Sequence, residues 1–498
     1  MSLTVLSESD VRTLLLQLTK QDILDLQQSL ADALHHYSTS TEEESDNGCC
    51  ESYQSAGTTL RSKNGGTMTV TPASSNDGLG VKITTHLSDN IKASRFSDTE
   101  SITSSLGSVT ISQNSIASTK SLEATTSPRH LLSLASSSTQ HGSLTLFDNS
   151  GKLRALLNTS EVTTFRTALA STMLFKKRRN VHDVVVFGAG RQAYWHIRLA
   201  LLLRGEDIHH LNIINRDFGR VHQLLETLYN PHEAPQSFNP DPQHIPAYRQ
   251  TAPSQTEALH RPKIQILTPS HGEYTRYLHD TLRSSSCIFL CTPSATPLFP
   301  AAILTNPEGR KKGRYIAAIG SVSPSMIELH PDIVRQNVAP EHGHRHFHKH
   351  AQQGGAIVVD SVDRCLKQAG EVVQAGLGPE QVVEIGELVM LKRDAERRRM
   401  ECMASKKMED EGLDVGGVEL GESEAAKKKK KKRRSGDGKE KDKHHESEDK
   451  AHKSLIEWLV KGNVIYKSVG LGLMDVVVGG ELVNLANARN IGTRIDNF

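Results

Sequence analysis

Val184-Val185-Val186-Phe187-Gly188-Ala189-Gly190-Arg191-Gln192-Ala193 decides the fold. An apolar, β-branched run ends in two glycines and opens directly into a helical pattern. That is the strand, tight turn and helix start of a dinucleotide-binding unit. Gly188 lets the chain turn, Gly190 lets backbone approach a pyrophosphate, and Ala193 keeps the helix close to the sheet. The first turn of the helix presents unpaired N–H groups to the phosphates. Glycine spacing alone is a weak signal; the flanking elements give it weight.

Outward from this unit the chain alternates strand and helix. A helix over about 191–204 and Gly205 lead to a second strand, Leu211 to Ile214. Apolar runs follow at Ile264–Leu267, Ile288–Leu290, Ile316–Ile319 and Ile357–Val359. Strands separated by helical spans predict a mostly parallel sheet covered on both faces. Ligands bind such sheets outside the strand C-termini, which makes Thr292 and Ser321, each just past a strand, cofactor-lining candidates. Asn215 and Arg216 follow the second strand. An acid there accepts ribose hydroxyls in NAD enzymes, whereas an arginine suits the extra phosphate of NADP. Arg216, with Arg191 near it, favours NADP over NAD; Asp217 argues mildly the other way.

The front of the chain reads differently. Residues 8–37 show one helical apolar pattern, capped by Ser7 or Ser9. Weak alternation over 67–85 suits strands, and Asp148-Asn149-Ser150-Gly151 is the turn of a hairpin. Residues 160–174 are helical and carry Arg166 and Thr167. Serine and threonine dominate 94–138, read as a disordered insertion. Residues 230–262 read as an enlarged loop, and 393–454 as a charged disordered insertion. Order resumes near Leu455. The simplest organisation is α/β: a Rossmann NAD(P)-binding domain (159–392) inserted into a discontinuous α+β substrate and dimerisation domain (1–158 and 455–498).

Composition sets limits. Among 498 residues the net charge is +2 and aromatics make up 4%, so neither nucleic acid nor an acidic membrane is a general partner. The six cysteines show neither disulfide-module nor metal-finger spacing. Met1–Asp10 lacks a basic and apolar leader pattern, and no stretch approaches the roughly 20 apolar residues of a membrane helix. A reducing, cytoplasmic setting is the expectation. The basic run 427–434 is a solvated tract or a nuclear-import signal. Alternating histidines His342, His344, His346, His348 and His350 read as a solvated loop, because no carboxylate or cysteine constellation completes a structured metal site.

Several further motifs occur in one order: Phe165-Arg166-Thr167-Ala168, Cys291-Thr292-Pro293-Ser294, and Ala318-Ile319-Gly320-Ser321 followed by Pro324, Glu328 and Leu329. Val359-Asp360, Ala369-Gly370-Glu371, and Lys467-Ser468-Val469-Gly470 with Asp475 complete the series. With the glycine motif, they make the chain resemble the ornithine cyclodeaminase and mu-crystallin family. The resemblance implies a homodimer that binds NAD or NADP and acts on small amino acids, imines or ketimines. It implies that Arg61, Lys82 and Arg166 hold the substrate carboxylate. Such a clamp is chemically sensible: arginine offers a planar fork and lysine a compact charge. Lys82 is also a candidate to pass a proton to the substrate nitrogen.

One position departs from the family pattern. Ornithine cyclodeaminases carry an aspartate two residues before the motif proline, and here that residue is Val322. Valine cannot ionise or hydrogen-bond through its side chain. The chain therefore resembles more nearly the mu-crystallin and fungal branch, which implies imine reduction or amino-acid dehydrogenation by hydride transfer. Ornithine cyclodeamination and non-catalytic, crystallin-like binding of NADP and a small ligand are the alternatives.

Overall fold

The computed structural model describes residues 2–40, 48–63, 66–86, 140–231, 259–338, 355–389 and 453–496. The expected insertion at 94–138, that at 393–454 as far as residue 452, the histidine and basic runs, and most of the 230–262 loop lie outside these residues; 453 and 454 are already helical.

Eight strands form an all-parallel sheet. From one edge the order is Val382–Glu384, Ile357–Val359, Val464–Lys467, Tyr315–Ala318, Cys287–Leu290, Asp183–Phe187, His210–Ile214 and Lys263–Leu267. The central strands are buried on both faces, which is why they read as continuous apolar runs. Side chains alternate between two packed layers: Val184 and Val186 join one apolar core, Val185 and Phe187 the other. The alternation predicted from sequence is borne out, with the helix after the glycines spanning Arg191–Arg204.

A second sheet has seven strands in the order Thr493–Ile495, Leu3–Leu6, Leu153–Asn158, Gln140–Phe147, Gly78–His86, Thr67–Ser75 and Thr58–Arg61. All pairings are antiparallel except Leu3–Leu6 with Leu153–Asn158. Helix Gly472–Arg489 packs across it. Gly80 and Gly479 allow that approach, because a Cβ at either would press on Val476 or Leu144.

Two readings need correction. The helix expected over 8–37 is two helices, Glu8–Leu16 and Lys20–Thr39. The break falls where Thr19 turns extended and caps the second helix. Its hydroxyl accepts from the Asp22 N–H, while Asp22 accepts from the Thr19 N–H. The tail expected to complete the first domain instead serves both. Val464–Lys467 is a central strand of the parallel sheet, and only Gly472–Arg489 and Thr493–Ile495 return to the other sheet.

The two units are joined through buried charge. Glu161, on helix Thr159–Phe175, accepts from Arg12 at 2.9 Å and from the Trp195 indole at 2.6 Å. Among the described residues, no helix is long and apolar enough to cross a membrane. Replacing Thr19→Ala removes one half of the capping box. The expected loss is about 1 kcal/mol, read as a lower urea midpoint with unchanged slope.

Candidate functional site

The site is built at the C-terminal edge of the parallel sheet. Gly188 follows its strand at φ +105°, a conformation that favours glycine, and a Cβ there would sit 2.9 Å from the Cys291 carbonyl oxygen. At Gly190 an added Cβ would meet nothing within 4 Å. The helix start is thus open, and Gly190 offers no side-chain cap to the N–H groups of the first turn. Beside them, Gln192 Oε1 is buried with no partner among the described residues. An open helix N-terminus with an orphaned polar atom fits an anionic, hydrogen-bonding ligand such as a dinucleotide pyrophosphate.

Glu328 holds the next two strand ends. Its Oε1 accepts from the Thr292 N–H at 2.6 Å and from the Thr292 hydroxyl at 3.1 Å, and its Oε2 accepts from the Gly320 N–H at 2.6 Å. The two loops approach so closely that a Cβ on Gly320 would lie 2.1 Å from the Thr292 oxygen. Glu371 in turn accepts from the Glu328 N–H and the Ser321 hydroxyl, and lies 3.2 Å from the Lys467 ammonium. Burial pushes the Glu328 carboxyl up to about 7, against the pull of Lys467 and the backbone donors.

Next along the sheet, Asp360 gathers the loop after Val464–Lys467. It accepts from the Ser468 hydroxyl at 2.8 Å and the Gly470 N–H at 2.5 Å. Gly470 has φ +89°, and a Cβ on it would strike the Arg166 guanidinium at 2.5 Å. Arg166 is thereby placed against the sheet's C-terminal edge. Its Nε donates to Asp475 Oδ1 at 3.3 Å, and Lys82 Nζ donates to the same oxygen at 3.0 Å. All three residues are buried. Burial alone would raise the Asp475 pKa, but Arg166 and Lys82 overcome it and hold the carboxyl below its usual range. Burial, reinforced by Arg166, lowers Lys82 despite the attraction of Asp475. Two cations and one carboxylate leave one net positive charge, matched to one more carboxylate.

The sequence-derived candidates divide accordingly. Lys82 and Arg166 meet. Arg61 does not join them: it ends an exposed edge strand rather than lying in a loop, two strands over and four register positions beyond Lys82. Thr167 is buried in the same helix as Arg166, its hydroxyl donating to the Thr163 carbonyl at 2.8 Å. Ala193 is fully buried against the sheet. Arg191 pairs with Glu8 at 3.1 Å. Asn215 donates to the Asp217 carbonyl, and Arg216 is exposed beyond its strand. Asp217 accepts from the Arg220 N–H, so this carboxylate caps the next helix. Ser321 faces Glu371 and Lys467 with its hydroxyl, a buried structural engagement. Asp475, Glu328, Glu371 and Lys467 were given no role from sequence. Their signal was a charge set inside an apolar run, as in Leu473-Met474-Asp475-Val476.

Together these features define a fold class: a Rossmann-type parallel sheet inserted into a discontinuous α+β domain. No protein-family model matches the chain. An uncharacterised protein of Saccharomyces cerevisiae is 26% identical over 256 residues, 49% of this chain; the chain spans 61% of that relative's length. The fold is shared with Thermococcus litoralis Δ1-pyrroline-2-carboxylate reductase, solved with NADH and L-proline (TM-score 0.54, 14% identity, 99% of this chain and 100% of that one). It is shared equally with an archaeal alanine dehydrogenase dimer with bound NAD (0.54, 14%, 100% of each). A lysine cyclodeaminase that recognises L-lysine, L-ornithine and L-2,4-diaminobutyric acid is similar too (0.53, 12%, 99% and 95%).

Replacing Glu328→Gln leaves one of the two backbone N–H groups facing an amide NH2, at an expected cost of about 1–3 kcal/mol. A carboxyl raised from 4.5 to about 7 favours the folded state fully below pH 4.5, and that share is lost as pH rises through 7. Melting temperature recorded from pH 4.5 to 7.5 should therefore fall less steeply in the variant than in the parent.

Proposed function

We propose that this chain is an NAD(P)-dependent oxidoreductase of the ornithine cyclodeaminase and mu-crystallin family, acting by hydride transfer on a small imino or amino acid. The observation that carries the reading is the meeting of Lys82 and Arg166 on Asp475 beside Gly470, at the edge where a dinucleotide would lie. The cofactor, when bound, supplies or accepts the hydride.

The chain's own residues supply orientation and proton handling. Arg166 and Lys82, with one positive charge to spare, bind the substrate carboxylate and fix its α-carbon over the crevice. Asp475 positions both cations and stays ionised. Lys82, its pKa lowered by burial, is suited to hold or release the proton exchanged at the substrate nitrogen. Arg61, at the end of the exposed edge strand, is left out of this clamp. Val322 is 52% exposed just past Ser321 and provides no acid, which favours net reduction or dehydrogenation, the chemistry of the mu-crystallin and fungal branch, over cyclodeamination.

Arg216 supports NADP. It is exposed at the second strand's end, while the acid beside it is engaged as a helix cap. A homodimer in the cytosol is part of the proposal; Cys287, Cys291 and Cys365 are buried thiols outside any disulfide, which suits a reducing compartment.

Absorbance of the reduced nicotinamide should fall when Δ1-pyrroline-2-carboxylate, or an α-keto acid with an amine, is added to protein and cofactor. Proline formed from ornithine with catalytic NAD and no net cofactor change would instead establish cyclodeamination. Lys82→Met is expected to lower kcat by about 10²–10⁴-fold while dinucleotide binding persists. Arg216→Ala should raise KM for NADPH about tenfold and leave that for NADH nearly unchanged.

A further inference from the structure

Far from this crevice, at the N-terminal edge of the parallel sheet, three side chains share one point. Asp183 opens the first nucleotide strand and His210 opens the second, and the register pairs them directly. Paired positions on neighbouring parallel strands face the same way, so the His210 Nδ1 lies 2.9 Å from Asp183 Oδ1. His182, just before the strand, brings its Nδ1 to 3.3 Å from Oδ2 of the same carboxylate. One ligand atom from each residue falls within 4.8 Å of the others.

We propose that His182, Asp183 and His210 form a binding site for a divalent transition-metal ion of the zinc class. Two imidazole nitrogens and a carboxylate oxygen are a ligand set that zinc takes at about 2.0–2.2 Å, with water in the fourth position. The imidazoles are about two-fifths exposed, which leaves them open to an entering ion. His209 stacks on the His182 ring at 4.0 Å and limits where that ring can go. Coordination through Nδ1 leaves each Nε2–H directed away from the ion. The site would join the starts of two strands, at the end of the sheet opposite the nucleotide edge.

The structure also contains a competitor. Lys312 Nζ lies 3.9 Å from Asp183 Oδ2, anchored by the Ser284 carbonyl oxygen. Its charge is drawn to the carboxylate the ion would use, so it weakens binding without contributing a ligand. The ligands therefore predict loss on truncation, and Lys312 predicts gain.

The test is calorimetric titration of Zn²⁺ into the full chain carrying His342→Ser, His344→Ser, His346→Ser, His348→Ser and His350→Ser, which removes the histidine run as a second chelator. One binding event is expected that His182→Ala or His210→Ala weakens at least about tenfold and Lys312→Gln strengthens severalfold. Mg²⁺, which prefers six oxygen ligands, should give no heat at this site. Binding that is absent, or unchanged in the histidine variants, overturns the proposal. So does an affinity indifferent to Lys312→Gln, a surface change that can be read even if a histidine variant fails to fold.

Discussion

A single buried carboxylate governs the arrangement. Lys82 comes from a strand of the mixed sheet, Arg166 from the helix that follows that sheet, and Asp475 from the tail helix. Neither cation is tolerable alone in so dry a place, and removing one partner from a buried pair of this kind costs about 3–5 kcal/mol. Asp475 makes their closeness possible, and three distant segments must therefore fold together. One carboxylate cancels only one of the two cations, so one positive charge remains.

A second constraint is steric. Gly188, Gly320 and Gly470 sit where successive loops leave the sheet, and each has a neighbour that would collide with a methyl group. Closeness at the first two is to backbone, at the third to the Arg166 guanidinium. Glu328 and Asp360 then tie the packed loops by accepting backbone N–H bonds. Side-chain carboxyl groups thus help hold these loops in register. Such charge-assisted bonds are short and directional.

Much of this was legible in order along the chain. The run Val184–Ala193 specified strand, turn and helix because its β-branched residues, glycines and helix formers agree at every level. Lys82 and Arg166 came from the family resemblance, and of the two only Lys82 sits in an apolar run, Leu79 to Ile83. What escaped was whatever depended on distant pairing. Helix 8–37 looked continuous because Thr19 interrupts it without breaking the apolar spacing. Arg61 could not be positioned from sequence, since nothing local says that its strand lies at an edge with its last residue far from Lys82. Ser321 looked like a lining residue by its place after a strand, yet Lys467 and Glu371 claim its hydroxyl. Asp475 was visible as a motif residue, but its role exists only once the tail helix crosses the first sheet.

The placement of Val464–Lys467 bears on biogenesis. A ribosome delivers seven strands of the parallel sheet before the one that fits between Tyr315–Ala318 and Ile357–Val359. Until then the nascent sheet lacks its third strand from one edge, and the apolar edges on either side ordinarily invite pairing with another chain. The strand that fills the gap runs directly into Gly470 and the helix bearing Asp475. One late stretch of translation thus completes the sheet and installs the counter-charge together, and neither unit can mature as an uninterrupted fragment.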